Sequence, residues 1–292
     1  MKITVTGSLG NISKPLATQL IGAGHQVTII SSNADKAKEI EALGATAAIG
    51  SLTDTAFVTD AFTGADAVYT MIPPNLFAED FRASANQISD SYVAAIKVSG
   101  VKQVVHLSSV GAQHSSGTGP IISAHDAENK LNKLDGVDVR FIRPAFFYTN
   151  FLGNIGLIKQ AGILGSNYPA DTRLILVHPA DIATVIAREI QQPISGKSVK
   201  YVYSSEHTPT EVAAILGTAI GKPKLPFVEF TDEQQYDGLK QAGISADMSK
   251  NYVELGVAAR TGILWSDLDA QGAAKGNISL EEFAKEFAQY FN

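Results

Sequence analysis

The stretch Lys2-Ile3-Thr4-Val5-Thr6-Gly7-Ser8-Leu9-Gly10-Asn11-Ile12-Ser13 passes from a β-branched run, through a turn of small residues, into an amphipathic helix. In this setting one glycine permits a tight turn, and a second lets backbone N–H groups approach a pyrophosphate at the helix N-terminus. Ser13 stands where a third glycine would let helix and strand pack closely, and serine is small enough for that place. The stretch predicts dinucleotide binding; the alternative is an ordinary tight turn.

Strand-like and helix-like segments alternate through the first half of the chain. The helical segments carry apolar residues three and four positions apart, as in Ile12, Leu16 and Leu20. Strands are predicted at residues 2–6, 26–30, 45–49, 67–72, 102–107 and 137–142. This alternation predicts an α/β fold in which a doubly wound parallel sheet, the Rossmann fold, is covered by helices on both faces.

Beyond about residue 150 the alternation loosens. We expect residues 1–150 to form the dinucleotide-binding domain and residues 151–292 a smaller C-terminal α/β cap on the substrate side. Strand patterns recur at residues 174–177 and 199–203, so part of the cap is expected to return to the main sheet.

Three helix starts in the second half carry capping-box patterns, at Thr208, Thr231 and Ser279. In the final helix, Phe283 and Phe287 with Phe291 recur at a four-residue spacing that predicts a stripe facing the core.

Composition excludes several classes of function. The 292 residues contain no Cys, which removes thiolate nucleophiles, Cys-ligated metal centres and disulfides. The net charge of −6 contains no basic block, which argues against nucleic-acid binding. His106, His178 and His207 lie far apart in the sequence with no carboxylate at metal-ligand spacing, so a metal site is not expected. No apolar run is long enough to span a membrane. We therefore expect a cytoplasmic protein, a monomer or homodimer, that acts on a small molecule.

Several motifs occur together along the whole chain. They include the turn at residues 7–12, Val104-Val105-His106-Leu107-Ser108-Ser109, His125 with Glu128 and Lys130, Ile142-Arg143-Pro144, and His178-Pro179-Ala180-Asp181-Ile182-Ala183. In this combination the chain resembles the NmrA-like family of atypical short-chain dehydrogenases/reductases, which includes quinone oxidoreductase type 2 and triphenylmethane-dye reductases. The resemblance implies a Rossmann fold and a nicotinamide cofactor.

Spacing and resemblance together suggest where that cofactor lies. About 20 residues after the first glycine, where an acidic residue would hold the ribose of NAD, stands Ser31, followed by possible donors at Ser32, Asn33 and Lys36. NADP is therefore favoured, with NAD as the alternative; these residues could instead simply cap the second helix. The resemblance implies cofactor contacts at the following positions: Gly7, Ser8, Leu9, Gly10, Asn11, Ile12, Ser32, Asn33, Ser51, Leu52, Met71, Ile72, Pro73, Lys130, Ala145, Phe146 and Phe147. Family members usually carry Arg in place of Ser32 and Asp in place of Ser51.

The wider superfamily uses a Tyr-x-x-x-Lys pair to move a proton. Here Asp126 stands four residues before Lys130, and no Tyr occurs between Val110 and Arg143. The candidates for catalysis are then Lys130, His125 and Tyr148; the alternatives are a locally bonded helix-start residue for His125 and packing for Tyr148. Residues 111–120, rich in Gly and Ser, form either a lid over the substrate or an ordinary loop.

These observations favour an NAD(P)H-dependent oxidoreductase that transfers hydride to a quinone-like or other conjugated acceptor. Such acceptors yield stabilised products and need little acid assistance, so the missing Tyr is tolerated. The alternative is a non-catalytic NAD(P)-binding redox sensor that acts through a protein partner. A sugar-nucleotide epimerase ranks last, because it would need the absent Tyr.

Overall fold

A computed structural model describes residues 1–291. Most strands lie in one sheet, and two small sheets lie beside it. The strands are β1 (Lys2–Val5), β2 (Gln26–Ser31), β3 (Thr46–Ile49), β4 (Ala67–Thr70), β5 (Gln103–Leu107), β6 (Asp138–Pro144), β7 (Phe146–Phe147), β8 (Leu164–Ser166), β9 (Leu174–Val177), β10 (Lys197–Tyr203), β11 (Ser205–His207), β12 (Phe227–Glu229) and β13 (Ala273–Lys275).

Helices connect these strands. They are α1 (Ser13–Gly22), α2 (Ala37–Ala42), α3 (Thr55–Phe62), α4 (Phe81–Ser99), α5 (Ile122–Asn132), α6 (Ile155–Ala161), α7 (Pro179–Ile190), α8 (Pro209–Ala219), α9 (Asp232–Gln241), α10 (Ala246–Arg260), α11 (Ser266–Gln271) and α12 (Leu280–Phe291). Short 3₁₀ turns occupy Ala34–Lys36, Gly119–Ile121 and Tyr148–Asn154.

The main sheet has eight strands in the order β13-β10-β6-β5-β4-β1-β2-β3, and every neighbouring pair is parallel. This confirms the predicted doubly wound fold; the six predicted strands differ from the observed ones by at most two residues at an end. Strand order reverses at β1, which pairs with both β2 and β4. In open α/β sheets, ligands bind beyond the carboxyl ends of the strands at such a reversal, so this edge is where a site is expected.

Both faces of the sheet are buried. On one face the strands pack against α1 and α7, where Leu16 and Ile186 are fully buried. On the other they pack against α3, α4 and α5, where Phe62 and Tyr92 stack with ring centroids 6.2 Å apart. This double cover explains why all four residues of β4, and every residue of β1 after Lys2, are buried.

The later part of the chain returns to the main sheet at two places. β10 pairs with β6, as the pattern at residues 199–203 predicted, and β13 adds a further strand beside β10. β9, at the predicted residues 174–177, instead pairs with β7 and β11 in a small separate sheet, because its neighbours are the chain segments that follow β6 and β10. The two-domain division remains a prediction, and its last residue, 292, lies outside the described part of the chain.

The three capping boxes are confirmed: Thr208, Thr231 and Ser279 each accept a hydrogen bond from the backbone three residues on, and that residue's side chain accepts one in return. Phe283 and Phe287 are buried as predicted, and Phe291 is half-buried beside them. Within residues 1–291, no helix has the length and apolarity that a bilayer crossing requires.

Candidate functional site

The turn after β1 brings backbone very close to the start of α1. Gly7 has φ +91°, and a Cβ there would lie 2.5 Å from the Ser13 hydroxyl oxygen and 3.2 Å from the Met71 side chain. Ser13 donates a hydrogen bond to the Thr6 carbonyl at 2.7 Å, which ties helix to strand where a third glycine would otherwise allow contact. The geometry explains why glycine stands at position 7 and why serine suffices at position 13.

The same turn leaves several donors free. The Gly10 N–H donates to the Gly7 carbonyl at 3.1 Å. Among residues 1–291, the N–H groups of Leu9, Asn11 and Ile12 have no acceptor, and they lie immediately before α1, where the helix dipole favours an anion. The free N–H groups, and the close approach to the backbone that glycine permits, fit a pyrophosphate.

The residues after β2 border this turn. Ser8, at φ +55°, donates from its backbone to Ile30 and from its hydroxyl to Ser31 at 2.9 Å. Ser32 and Asn33 are exposed, and the Asn33 side chain accepts from the Asp35 N–H, so Asn33 does cap the short turn that follows. That cap leaves its amide nitrogen without a partner among the described residues.

A small charged cluster lies beside this end of the site. The Glu39 carboxylate binds Lys14 of α1 and Lys36 after β2, each at 3.0 Å. Hydrogen bonds from Lys36 and then Lys14 lower the pKa of Glu39. These two lysines and one carboxylate together carry a charge of +1, and Lys36 is one of the predicted donors to the cofactor.

Ser51 and Leu52, predicted to border the adenine, follow β3 at the same sheet edge. Ser51 is exposed and its hydroxyl hydrogen-bonds to Thr53, while Leu52 is half-buried against the core on the α4 face.

A cavity of about 260 Å³ opens at the carboxyl ends of β4, β5 and β6, and we call it the edge cavity. Its walls include four predicted cofactor contacts besides Met71: Ile72, Ala145, Phe146 and Phe147. Pro73 does not line it, but its neighbour Pro74 does. The end of β5 contributes His106, Ser108 and Ser109; α10 contributes Met248, Tyr252 and Leu255.

His106 contributes an imidazole to this wall. It is 1% exposed and its Nδ1 lies 2.9 Å from the Thr70 hydroxyl, across the β4–β5 register. Its Nε2 is buried and has no partner within residues 1–291. Burial lowers the pKa of His106 to about 4, so the ring is neutral near pH 7.

A second cavity of about 330 Å³, the side cavity, adjoins the first. The two share six lining residues: Phe146, Asn150, Tyr252, Leu255, Leu264 and Trp265. Its remaining walls come mostly from the chain beyond residue 150, from the 3₁₀ turn Tyr148–Asn154, β8, α9 and α10. Within residues 1–291, no Asp, Glu, Lys or Arg side chain lines either cavity.

A buried polar network fixes the wall behind the edge cavity. Ser108 donates to Glu128, and the Arg143 guanidinium binds both Glu128 oxygens at 2.9 and 2.6 Å. Arg143 also donates to the Tyr201 hydroxyl at 2.7 Å and to Asp267 at 3.1 Å. Because Ser108 is thus occupied, the hydroxyl at this strand end that has no partner among residues 1–291 is that of Ser109.

Lys130, predicted to bind the nicotinamide ribose, points elsewhere in this structure. Its amino group lies 2.6 Å from Asp90 and donates to Ser89 and to the Asn86 carbonyl on α4. Asp126, in the place of the superfamily Tyr, forms a two-point ion pair with Arg82, whose hydrogen bonds lower the Asp126 pKa. Neither Lys130 nor Asp126 lines the edge cavity.

The other two candidates for catalysis also lie outside both cavities. His125 makes a 2.8 Å hydrogen bond to the Ala112 carbonyl and another to the Asn129 amide, as the helix-start alternative expects. Tyr148 is fully buried; its hydroxyl lies 2.7 Å from that of Ser205, and burial raises its pKa to about 12. This geometry favours packing over proton transfer for Tyr148.

The segment 111–120 forms a wall and not a free lid at its C-terminal end. Thr118 and Gly119 are buried, and a Cβ on Gly119 would lie 2.0 Å from the Asn251 carbonyl of α10. Pro120 and Ile121, just beyond, line the edge cavity. The α10 residues carry no motif, so the sequence does not reveal them; His106 lies in one of the motifs of the resemblance, but no cofactor or catalytic contact is predicted for it.

Comparison with known proteins agrees with this architecture. Residues 1–283 match the model of the NmrA-like family. An NAD(P)H azoreductase of Xenophilus azovorans is 26% identical over 294 residues, covering 99% of each chain.

Solved structures share the fold. An NADPH-dependent quinone oxidoreductase of Escherichia coli, complexed with NADPH, has a TM-score of 0.79 at 22% identity, covering 97% of this chain and 99% of that one. A triphenylmethane reductase of Citrobacter sp. has a TM-score of 0.82 at 19% identity, covering 99% and 100%. A nucleoside-diphosphate-sugar epimerase of Staphylococcus aureus has 0.80 at 19%, covering 98% and 100%. At these identities the likeness establishes the fold.

Proposed function

Because the chain belongs to the NmrA-like family, we propose that it is an NAD(P)H-dependent oxidoreductase that transfers hydride to a quinone-like or other conjugated small molecule. One observation carries the proposal: a glycine turn with free N–H groups and an uncharged cavity occupy the same carboxyl edge of the sheet. The azoreductase, which covers nearly the whole chain, is consistent with it.

In this proposal, Leu9, Asn11 and Ile12 hold the pyrophosphate through their backbone N–H groups. Met71 and Ile72 on the β4 side of the edge cavity, and Ala145 to Phe147 on its β6 side, would hold the nicotinamide. The cofactor supplies the hydride when bound. The chain's own contribution is to place the acceptor against it and to exclude water with apolar walls.

Proton delivery is a minor demand in this proposal. A conjugated acceptor delocalises the charge that hydride transfer creates, so the reaction proceeds without the Tyr-x-x-x-Lys pair. The role of Asp126 is then to hold α4 against α5 through Arg82, and Lys130 does the same through Asp90. Ser109 is the hydroxyl placed to hydrogen-bond a product oxygen or nitrogen.

We propose NADP as the preferred cofactor, with NAD as the alternative. In support, Lys36 and Lys14 share the Glu39 carboxylate, so two amino groups lie close together, and Ser32 and Asn33 are exposed near Lys36. Glu39 partly neutralises that charge and would weaken the preference.

The test is to mix the pure protein with NADPH or NADH and a panel of quinones and azo compounds, and to follow absorbance at the nicotinamide band. Gly7→Ala should abolish cofactor binding and turnover together, because its Cβ would displace Ser13. Ala214→Phe, on the exposed face of α8, is the matched control. Cofactor binding without turnover of any acceptor would refute the proposal and favour the redox sensor.

A further inference from the structure

The proposed function assigns a role to the edge cavity but none to the side cavity. Once the nicotinamide ring and the reducible bond of the acceptor share about 260 Å³, little space remains there for the rest of an acceptor. The side cavity continues past Phe146 and Trp265, which line both, and offers about 330 Å³ more. We propose that the side cavity binds the non-reacting part of the acceptor and selects an uncharged aromatic ring that carries a hydrogen-bond donor.

The walls of the side cavity favour an aromatic ring. Phe146 and Phe151 lie with ring centroids 5.7 Å apart, and Tyr168 stacks on Phe227 at 5.7 Å. Tyr252 and Trp265 complete the apolar lining at the junction with the edge cavity. Planar rings pack well against such surfaces through offset or edge-on contacts.

The same walls disfavour charge. Within the described residues, the side cavity has no ionised side chain to pair with a sulfonate, a carboxylate or a quaternary ammonium group. A charge that enters loses its hydration and gains no partner. We therefore expect the acceptors to be uncharged molecules, and we expect charged molecules of comparable size to bind poorly.

Among the lining residues of the side cavity, one buried polar side-chain atom lacks a partner within the described part of the chain. The Gln235 Oε1 of α9 is buried and accepts no hydrogen bond from residues 1–291. Gln235 lines the side cavity, so a hydroxyl or amino group on the remote ring would satisfy this acceptor. This is the feature that points to a donor on the bound molecule.

The proposal rests on the proposed function, yet its test is a binding measurement without cofactor. Trp265 is the single Trp of the chain and lines both cavities, so quenching of its fluorescence reports entry of a ligand. The probes are 2-phenyl-1,4-benzoquinone, its 4-hydroxyphenyl, 4-sulfophenyl and 4-trimethylammoniophenyl derivatives, and 1,4-benzoquinone as the short molecule.

We expect both neutral phenylquinones to bind at least about tenfold more tightly than either charged one, since an unpaired charge must lose its hydration. The hydroxyphenyl compound should bind more tightly than the phenyl compound in the parent protein. Gln235→Leu should remove that preference without changing affinity for 1,4-benzoquinone. Equal affinity for neutral and charged probes would overturn the proposal.

Two substitutions that fill the side cavity locate the remote ring. Ala242→Phe at its exposed rim and Ala259→Leu on α10 should each weaken the phenylquinones several-fold and spare 1,4-benzoquinone. Ala214→Phe should weaken binding of neither the phenylquinones nor 1,4-benzoquinone. If both fillings leave the phenylquinones unaffected, the side cavity is not the subsite; turnover with NAD(P)H then decides the proposed function separately.

Discussion

Titration of His106 should make the protein less stable in weak acid. The imidazole is 1% exposed, and burial moves its pKa from 6.5 to about 4. Between these values the unfolded chain binds a proton that the folded protein does not. Stability is therefore fully present above pH 6.5 and is lost as the pH falls toward 4.

The linkage relation gives the size of this loss. For a single group with these two pKa values, the free energy of unfolding falls by about 2 kcal/mol between pH 7 and pH 5. Other groups also titrate in this interval, so the quantity to measure is the difference between the parent protein and His106→Phe. The phenyl ring retains packing against Phe141, whose ring lies edge-on at 6.3 Å, and cannot take a proton.

Urea unfolding at pH 7 and pH 5, followed by circular dichroism, measures this difference. The variant should lose about 2 kcal/mol less than the parent between the two conditions. Thr70→Val is the matched control: it removes the partner of Nδ1 but leaves the ring buried, so the pH dependence should persist. If His106→Phe loses as much stability as the parent, burial of the imidazole does not control acid sensitivity and the reasoning is wrong.

Three further outcomes are expected. Gly7→Ala should cost about 1–2 kcal/mol in urea unfolding, because φ is +91° and the Ser13 hydroxyl must move; an unchanged midpoint would contradict this. Arg143→Met should cost about 3–5 kcal/mol because it strands the buried Glu128 carboxylate, and adding Glu128→Met should recover part of the loss; additive losses would argue against the pairing. Glu39→Gln should tighten NADPH several-fold relative to NADH in fluorescence titrations, most at low salt; equal changes for both cofactors would place the cluster away from the 2′-phosphate.

Local sequence signals predicted those parts of the fold that depend on local interactions. Strand–helix alternation in residues 1–144 follows from period and turn residues, and the six strands lie where the pattern places them. The capping boxes at Thr208 and Ser279 are equally local, because each side chain bonds to backbone three residues away. The turn at Gly7 could be predicted from the sequence because it also depends on local interactions.

Packing between residues that are distant in the sequence could not be predicted from the sequence. Lys130 lies on α5, but its side chain pairs with Asp90 of α4, which no spacing on α5 reveals. Tyr148 follows β6 as expected, yet its hydroxyl bonds to Ser205 on a strand more than fifty residues away. The walls from Tyr252 and Trp265 carry no motif; only the tertiary fold brings them to the sheet edge.

The place of β13 in the main sheet has a consequence for aggregation. This strand covers the free edge of β10, and Asp181 holds the following backbone by accepting from the Asn277 and Ile278 N–H groups at 3.1 Å. If thermal motion released β13, the ladder of β10 would be open to pair with the same strand of another molecule. Asp181 would then protect the protein against self-association. Substitution of Asp181 should cause turbidity on heating before any loss of cofactor binding.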